Sequence, residues 1–169
     1  ILVLWGGEDI GTEIYNQMPN KYVHIWKMSE RDKEEITLTK EAIALGIPIL
    51  GICRGAQLLC CLTGGWLIQH IENHVTNTHD VHVENKGVFK TNSCHHQMMV
   101  PNLDQEVLAY ATETIGVTEA NNNIIIERVP EVVHFPKIRA LGIQGHPEWP
   151  SMPKRFSDYC EQLISELIL

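Results

Sequence analysis

Residues 47–59 read IPILGICRGAQLL, and this stretch decides the fold of the 169-residue chain. Its first half is apolar and favours a buried parallel strand over residues 48–53, and its second half favours a helix over residues 57–62. Between the two stands Cys53, with a glycine two residues away on either side. A G-x-C-x-G pattern at a strand-to-helix junction is typical of a nucleophile elbow, in which the glycines avoid collisions around a strained backbone.

Cys53 is the candidate nucleophile of this elbow. The N-terminus of the following helix favours its thiolate, and the amide of Arg54 points to where an oxyanion would form during acyl transfer. The same residues are also compatible with a small buried cysteine in a tight turn that has no chemical role. The rest of the chain has to distinguish these two interpretations.

A second polar segment, QGHPEW at residues 144–149, follows the apolar run at residues 140–143. A catalytic cysteine needs a base to hold its proton, and that base needs a carboxylate to fix its tautomer. His146 and Glu148 supply this pair. Because open α/β sheets build their sites at the C-terminal ends of the strands, we expect Cys53 and His146 to meet at that edge.

The remaining patterns predict an α/β sheet with an antiparallel annex. Residues 1–5 are apolar and predict a strand that ends in a glycine loop, and Ser29 followed by acidic residues predicts a capped helix over residues 29–45. The alternating residues of the histidine-rich segment 66–90 predict an antiparallel ribbon. Further strands are predicted over residues 22–26, 118–128 and 140–144, and a closing amphipathic helix over residues 151–169.

Length and composition predict one globular domain over residues 1–169. No apolar run reaches the roughly 18 to 20 residues that a membrane helix requires. The net charge is −8 and the 13 lysines and arginines are scattered, which argues against nucleic-acid binding and favours a small ligand. The five cysteines are odd in number and include the adjacent Cys60 and Cys61, so we expect free thiols in a reducing, cytoplasmic compartment.

The elbow GICRGAQLL and the segment GHPEW resemble the two signatures of the class I glutamine amidotransferases. LVLWGGEDI, at residues 2–10, is similar to the glycine-rich oxyanion loop of that family. TNSCHHQMMV, at residues 91–100, is similar to the NSxHHQ segment of its γ-glutamyl hydrolase-like branch, peptidase C26, which cleaves γ-glutamyl amides such as γ-glutamyl-γ-aminobutyrate. The resemblance implies a flavodoxin-like, three-layer α/β fold with a mostly parallel central sheet and a small antiparallel annex.

The resemblance also implies a role for individual residues, and it implies a reaction through a γ-glutamyl thioester that needs no cofactor. The implied roles are nucleophile for Cys53, base and acid for His146, orienting carboxylate for Glu148, oxyanion hole for the amides of Gly7 and Arg54, and substrate binding for Gln57 and His95. Members of the hydrolase branch usually carry two more βα units before the strand that resembles residues 1–5. We therefore expect either a pared-down sheet or a missing upstream segment.

Two further groups of side chains allow more than one interpretation. The histidines at 70, 74, 79 and 82 are separated by four, five and three residues, which matches no common zinc-finger pattern, so we predict exposed histidines and no metal site. Cys94 lacks an elbow and is expected to pack at a pocket wall. Glu8 and Asp9 are equally compatible with binding a substrate amino group and with a solvated loop.

Three functions follow from the sequence. The first is an amidohydrolase that acts on glutamine or a γ-glutamyl amide. The second is a glutaminase that supplies ammonia to a separate synthetase, since the sequence shows no ATP-binding loop of its own. The third is a non-catalytic or metal-binding module that kept the fold. The expected partners are accordingly the small-molecule amide, a synthetase or a second copy of the chain, with no nucleic acid and no membrane.

Overall fold

The computed structural model describes residues 1–112 and 114–169, with the side chains of all of these except residues 76 and 77. The helices are α1 (Glu30–Ala44), α2 (Arg54–Leu62) and α3 (Lys154–Leu163), and α3 continues as a π-helical turn over Ile164–Ile168. The strands are β1 (Leu2–Leu4), β2 (Ile49–Ile52), β3 (Trp66–Ile68), β4 (His70–Ile71), β5 (Val75–Val83), β6 (Gly87–Cys94), β7 (Met98–Val100), β8 (Glu106–Ala111), β9 (Thr114–Val117), β10 (Asn123–Ile126), β11 (Val129–Phe135) and β12 (Ala140–Ile143).

The central sheet has the strand order β1-β2-β12-β11-β8-β5-β6. The first three strands are parallel neighbours, and the four pairings beyond β12 are antiparallel. All residues of β2 and β12 are buried, as expected for parallel strands that are covered on both faces. The predicted α/β fold is therefore confirmed, and its sheet is mixed, with the parallel strands grouped at one side.

Helices cover both faces of the parallel strands. Leu50 and Ile52 of β2 point to one face, where they join a buried apolar cluster with Phe156 of α3. Ile49 points to the opposite face and belongs to the cluster that contains Leu59 of α2. Because side chains alternate along a strand, one short apolar segment contributes to both clusters, and the predicted three-layer arrangement is confirmed.

The predicted capped helix is confirmed as α1. The hydroxyl of Ser29 accepts a hydrogen bond from the amide of Asp32 at 3.1 Å, and the Asp32 carboxylate accepts one from the Ser29 amide at 2.8 Å. This reciprocal pair is a capping box, which satisfies two backbone donors at the start of the helix. Asp32 is completely buried, and its carboxylate also forms an ion pair with Arg54 of α2.

The strand predicted over residues 22–26 does not form. The side chain of Asn20 accepts a hydrogen bond from the amide of Val23 at 3.0 Å, and the carbonyl of Ile25 accepts one from the amide of Thr12 at 3.0 Å. Backbone groups that would pair with a neighbouring strand are used in these local contacts, so apolar alternation alone did not make a strand there.

Three boundaries also differ from the predictions. Helix α2 begins at Arg54, directly after the cysteine, and the closing helix begins after Pro153. The strand predicted over residues 118–128 begins with a turn, in which Asn121 has φ of 58°, and continues as β10. The antiparallel ribbon is confirmed as the pair β5 and β6.

Among the described residues, no helix combines the length and apolar character needed to cross a membrane.

Candidate active site

Cys53 lies in a sharp turn between β2 and α2, with φ of 50° and ψ of −107°. A positive φ is unfavourable for a residue that has a side chain, and it is the geometry of a nucleophile elbow. A Cβ on Gly51 would lie 2.6 Å from the Gly55 carbonyl carbon, and a Cβ on Gly55 would lie 2.2 Å from the Leu4 carbonyl oxygen. The predicted steric need for both glycines is therefore confirmed.

His146 and Glu148 form a hydrogen-bonded pair next to this turn. The Nδ1 atom of His146 donates to Oε1 of Glu148 at 2.8 Å, which leaves Nε2 with a lone pair that can accept a proton. The imidazole also stacks on Trp149, with 4.1 Å between the ring centroids. These contacts fix both the tautomer and the plane of the ring, as a general base requires.

Asn92 holds the backbone of this base in place and was not among the predicted site residues. Its side-chain oxygen accepts a hydrogen bond from the His146 amide at 2.8 Å, and its side-chain nitrogen donates to the His146 carbonyl at 3.0 Å. Asn92 is the asparagine of the TNSCHHQ segment, so the motif contained a signal for it. Its contact with His146 could not be deduced from the sequence of its own strand, β6, because the contact joins β6 to the turn after β12.

Cys53, His146 and the glycine loop line one pocket of about 390 Å³. A Cβ on Gly6 would lie 2.8 Å from Cε1 of His146 and 3.6 Å from Cβ of Cys53, which shows how closely the three segments approach. The lining residues are Trp5, Gly6, Gly7, Cys53, Cys94, His146, Glu148 and Trp149. Cys94 thus lies at the pocket wall, as predicted. A second cavity, of about 480 Å³ beside β5 and β8, contains none of the predicted catalytic residues.

Arg31 orients the glycine loop. Its guanidinium donates hydrogen bonds to the carbonyls of Trp5 at 2.9 Å and of Gly6 at 3.2 Å. The carbonyl of Gly6 and the amide of Gly7 belong to one planar trans peptide and point in opposite directions. The amide of Gly7 consequently faces away from Arg31, and Gly7 lines the pocket, while its role in an oxyanion hole stays a prediction.

The side chain of Arg54 points away from the reaction site. It forms ion pairs with Asp32 and Glu35 of α1 and is 3% exposed. The backbone amide of Arg54 contacts Cys53, and its role in an oxyanion hole stays a prediction. The ion pairs attach the residue after the nucleophile to the start of a neighbouring helix.

Burial raises the pKa of the Cys53 thiol to about 12, although the backbone amide of Arg54 lowers it and acts in the opposite direction. The negative charges of Glu131 and Glu148 add to the increase. The helix N-terminus alone favours a thiolate, but desolvation outweighs it and raises the pKa of Cys53 above its ordinary value. A nucleophile in this state depends on a nearby base to remove its proton.

The two side chains predicted to bind substrate lie behind the pocket. Nε2 of Gln57 donates to Oε1 of Gln144 at 3.2 Å, and Nε2 of Gln144 is 3.7 Å from the sulfur of Cys53. His95 is buried and donates through Nδ1 to the carbonyl of Gln97 at 2.9 Å. Neither Gln57 nor His95 is among the residues that line the pocket, and their substrate-binding roles stay predictions.

The acidic residues of the glycine loop do not contribute to the catalytic pair. Asp9 forms an ion pair with Nε2 of His96 at 3.1 Å, and both side chains are partly exposed. Glu8 is exposed. Either residue could still meet a substrate, because both border the same loop as Gly7.

Comparison with known proteins places these features in context. The family model described as peptidase C26 matches residues 1–148. The chain is 30% identical over 167 residues to the glutamine amidotransferase-like protein YvdE of Lactococcus lactis, an alignment that covers 87% of this chain and 65% of YvdE. It is 32% identical over 152 residues to a γ-glutamyl-γ-aminobutyrate hydrolase of Escherichia coli, covering 72% of this chain and 54% of that enzyme. The chain thus spans less than two thirds of either relative.

A solved structure supports the same fold. The crystal structure of a glutamine amidotransferase from Thermotoga maritima superposes with a TM-score of 0.51 and 19% sequence identity. The superposition covers 80% of this chain and 54% of that protein. At this level of identity the similarity concerns the fold, and the arrangement of residues within the site has to be judged from the chain itself.

Proposed function

The chain belongs to the peptidase C26 family within the class I glutamine amidotransferases, and we propose that it is a cysteine-dependent amidohydrolase. Its substrates would be glutamine or a γ-glutamyl amide, cleaved at the γ-amide bond. The observation that carries this proposal is the convergence of Cys53, the His146–Glu148 pair and the glycine loop on one pocket. The resemblance of this chain to a γ-glutamyl-γ-aminobutyrate hydrolase supports the same substrate class.

The first half of the proposed reaction forms a thioester. The sulfur of Cys53 attacks the γ-carbonyl carbon, and Nε2 of His146 takes the thiol proton. His146 then gives this proton to the nitrogen of the leaving group, so that the C–N bond breaks and ammonia or an amine departs. Glu148 stabilises the imidazolium that exists between these two transfers, because its carboxylate already holds Nδ1.

The second half hydrolyses the thioester. His146 removes a proton from water, the resulting hydroxide adds to the thioester carbonyl, and the Cys53 thiol is restored as glutamate leaves. In both halves the carbonyl oxygen becomes an oxyanion, for which the amides of Gly7 and Arg54 are the proposed donors. The buried ion pairs of Arg54 and the contacts of Arg31 keep these two amides in fixed positions.

A glutaminase that works with a synthetase is the second candidate, and the rim of the pocket favours it. Trp5 and Trp149 line the pocket and remain 51% and 41% exposed. Large exposed aromatic side chains next to a reaction site are typical of surfaces that contact another molecule. Such a partner would cover the rim and raise hydrolysis of free glutamine, whereas a self-sufficient hydrolase would act fully on γ-glutamyl amides alone.

The compartment is also part of the proposal. All five cysteines are free, and four of them are buried. Free thiols persist in reducing compartments, so we place the protein in the cytoplasm.

Brief exposure to diazo-oxo-norleucine, a glutamine-like electrophile, followed by mass spectrometry tests the proposed nucleophile. We expect a single adduct on Cys53 in the parent, the same adduct in Cys94→Ser, and none in Cys53→Ser. Cys94 is the matched control because it lines the same pocket. An unlabelled parent, or an adduct that maps to Cys94, would refute the proposal. Hydrolysis rates on glutamine and on γ-glutamyl amides, with Cys53→Ala as blank, then identify the leaving group.

A further inference from the structure

Three histidines converge on one buried carboxylate outside the catalytic pocket. Glu131 of β11 is completely buried, and its Oε1 atom lies 2.8 Å from Nε2 of His79. The Nε2 atoms of His95 and His74 lie 3.7 Å and 3.8 Å from the same oxygen. His74 and His95 are only 4% and 5% exposed. The cluster therefore consists of three imidazole nitrogens and one carboxylate, brought together from three segments: His74 and His79 at β5, His95 after β6 and Glu131 in β11.

The tautomers of two of these histidines are determined by their other ring nitrogen. Nδ1 of His74 lies 2.9 Å from the carbonyl of Glu72, and Nδ1 of His95 lies 2.9 Å from the carbonyl of Gln97. A carbonyl oxygen only accepts hydrogen bonds, so both Nδ1 atoms carry hydrogen. A neutral ring of this tautomer has a lone pair at Nε2, and in both residues that lone pair is directed towards Glu131.

This arrangement lacks a positive charge at its centre. Two lone pairs that face a buried carboxylate oxygen repel it. Within the described part of the chain, Nε2 of His74, Nε2 of His95 and Oε2 of Glu131 are all buried without a hydrogen-bond partner. Buried polar atoms without partners are costly and rare in native structures. Either protons or a metal ion would resolve the conflict.

We propose that His74, His79, His95 and Glu131 bind one divalent transition-metal ion of the zinc type. The ligands are Nε2 of the three histidines and a carboxylate oxygen. Three imidazoles and one carboxylate are a donor set that suits tetrahedral zinc. The candidate ligand atoms of His74, His79 and Glu131 lie within 4.8 Å of one another, and the fourth, Nε2 of His95, lies 3.7 Å from the carboxylate oxygen. When the ion binds, the ring proton of His79 moves from Nε2 to Nδ1, so that the ring stays neutral and Nε2 exchanges its hydrogen bond with Glu131 for the metal.

The hydrogen bonds behind the cluster support a metal ion. Histidines that bind zinc almost always donate their other ring nitrogen to a carbonyl or carboxylate, which is the arrangement of His74 and His95. Protonation of both rings would place two imidazolium charges with 5.1 Å between their centroids in a buried site. One divalent ion would give Nε2 of His74, Nε2 of His95 and the Glu131 carboxylate a partner without that repulsion.

The prediction that this histidine-rich segment holds no metal is therefore reversed by this proposal. The four histidines considered from the sequence do not act as a set: His70 stacks on Tyr22 at 3.8 Å between centroids, and His82 stacks on Tyr110 at 5.5 Å. Only His74 and His79 of that set join the cluster. The remaining ligands, His95 and Glu131, come from later segments.

The ion would connect the β5–β6 ribbon to the central strand β11. The backbone amide of Gln144 donates to the backbone carbonyl of Glu131 at 2.8 Å, and the side-chain nitrogen of Gln144 contacts the sulfur of Cys53. The site thus lies behind the catalytic pocket and is separate from it. We expect the ion to stabilise the fold on the side of the sheet that positions Cys94 and Asn92.

Titration of the chelator-treated chain with Co²⁺ tests this proposal. Cobalt is an optical probe for zinc sites, and we expect one equivalent to give the intense visible absorption of tetrahedral coordination, without a sulfur-to-metal charge-transfer band. Addition of Zn²⁺ should displace it. The same spectrum is expected for Cys53→Ala, because the ion does not lie at the catalytic cysteine.

Two variants isolate the site. In His79→Gln the amide can still donate to Glu131, but the ligand is lost, and we expect Co²⁺ to bind at least about 100-fold more weakly, since loss of even an outer partner of a ligand costs 10–100-fold. His24→Gln, at an exposed histidine, should bind as the parent does. The circular dichroism spectrum of each variant verifies folding.

X-ray absorption of the zinc-loaded parent gives an answer that needs no variant. We expect a first shell of nitrogen and oxygen only. A sulfur ligand, loss of the cobalt spectrum in Cys53→Ala, unchanged binding in His79→Gln, or absence of stoichiometric binding by the parent would each overturn the proposal.

Discussion

Arg54, which follows the nucleophile, forms an ion pair with Asp32, and the two side chains are 3% and 0% exposed. Asp32 also accepts hydrogen bonds from the amides of Ser29 and Gly11, at 2.8 Å and 3.2 Å. One carboxylate therefore joins the elbow, the start of α1 and the chain after the glycine loop. The geometry of the catalytic turn depends on this contact, although neither side chain lines the pocket.

We expect Asp32→Asn to lower the free energy of unfolding by about 3 kcal/mol, because it removes the fully buried one of the two carboxylates that pair with the buried guanidinium of Arg54. Urea denaturation monitored by circular dichroism measures the change. Asp80→Asn, which breaks an exposed ion pair with Lys90, is the control and should leave stability unchanged. If Asp32→Asn had the same free energy of unfolding as the control, the buried ion pair would not contribute to stability.

Glu148→Gln should lower kcat by about 10²–10⁴-fold, the range typical of general acid–base catalysis, with a smaller effect on KM. The glutamine can still accept a hydrogen bond from Nδ1 of His146, but it lacks the charge that stabilises the imidazolium. Steady-state kinetics on a γ-glutamyl amide measure the effect. Glu161→Gln, at an exposed position of α3, should be as active as the parent. Parental kcat in Glu148→Gln would exclude a catalytic role for the negative charge of this side chain.

Gly6→Ala should lower kcat/KM by about 100-fold or more, because its Cβ would lie 2.8 Å from Cε1 of His146 and displace the base. The matched control is Gly46→Ala. No atom lies within 4 Å of a Cβ there, but φ is +66°, so we expect a stability loss of about 1–2 kcal/mol with full activity. Equal activity of the two alanine variants would show that the pocket adapts to the added methyl group.

Stability should fall as the pH rises above about 9, because burial raises the pKa of the thiols of Cys60 and Cys160 to about 12. Below pH 9 these thiols are protonated in both states. Between pH 9 and 12 they ionise only in the unfolded chain, which stabilises that state by about 1.4 kcal/mol per thiol and pH unit.

Urea unfolding between pH 8 and pH 10.5 measures this dependence. The free energy of unfolding of Cys160→Ala should decrease less steeply with pH than that of the parent, by about 1.4 kcal/mol per pH unit, because one buried thiol is removed. Cys94→Ala, which removes an exposed thiol, should retain the parental slope. A flat profile in the parent, or an identical slope in Cys160→Ala, would contradict the assignment.

Much of the catalytic site could be predicted from the sequence because its signals are local. The glycines around Cys53 are required by contacts within the elbow and with the adjacent strand, and His146 and Glu148 are two residues apart. The oxyanion donors proposed here, Gly7 and Arg54, are backbone amides: the position of the helix suggested Arg54, and the family resemblance implied Gly7. The structure adds Arg31 and Asn92, which act across the fold on the backbone of these same segments.

Other features could not be predicted because competing contacts decide them. Residues 22–26 have a strand-like pattern, yet the side chain of Asn20 and the backbone of Thr12 use the groups that a strand would need. The thiol state of Cys53 is similar: the helix N-terminus is visible in the sequence, but the desolvation that outweighs it depends on how deeply the elbow is buried.

The sequence alone determined the α/β class, the elbow at Cys53 and the pairing of His146 with Glu148. These features depend on strand burial, on steric exclusion around glycines and on hydrogen bonds between near neighbours, which all act over a few residues. Only the tertiary structure decided which histidines share a site. His79 and Glu131 are distant in sequence, and their side chains lie 2.8 Å apart because β5 and β11 both pair with β8 in the central sheet. Contacts of this kind depend on strand order, which no local pattern encodes.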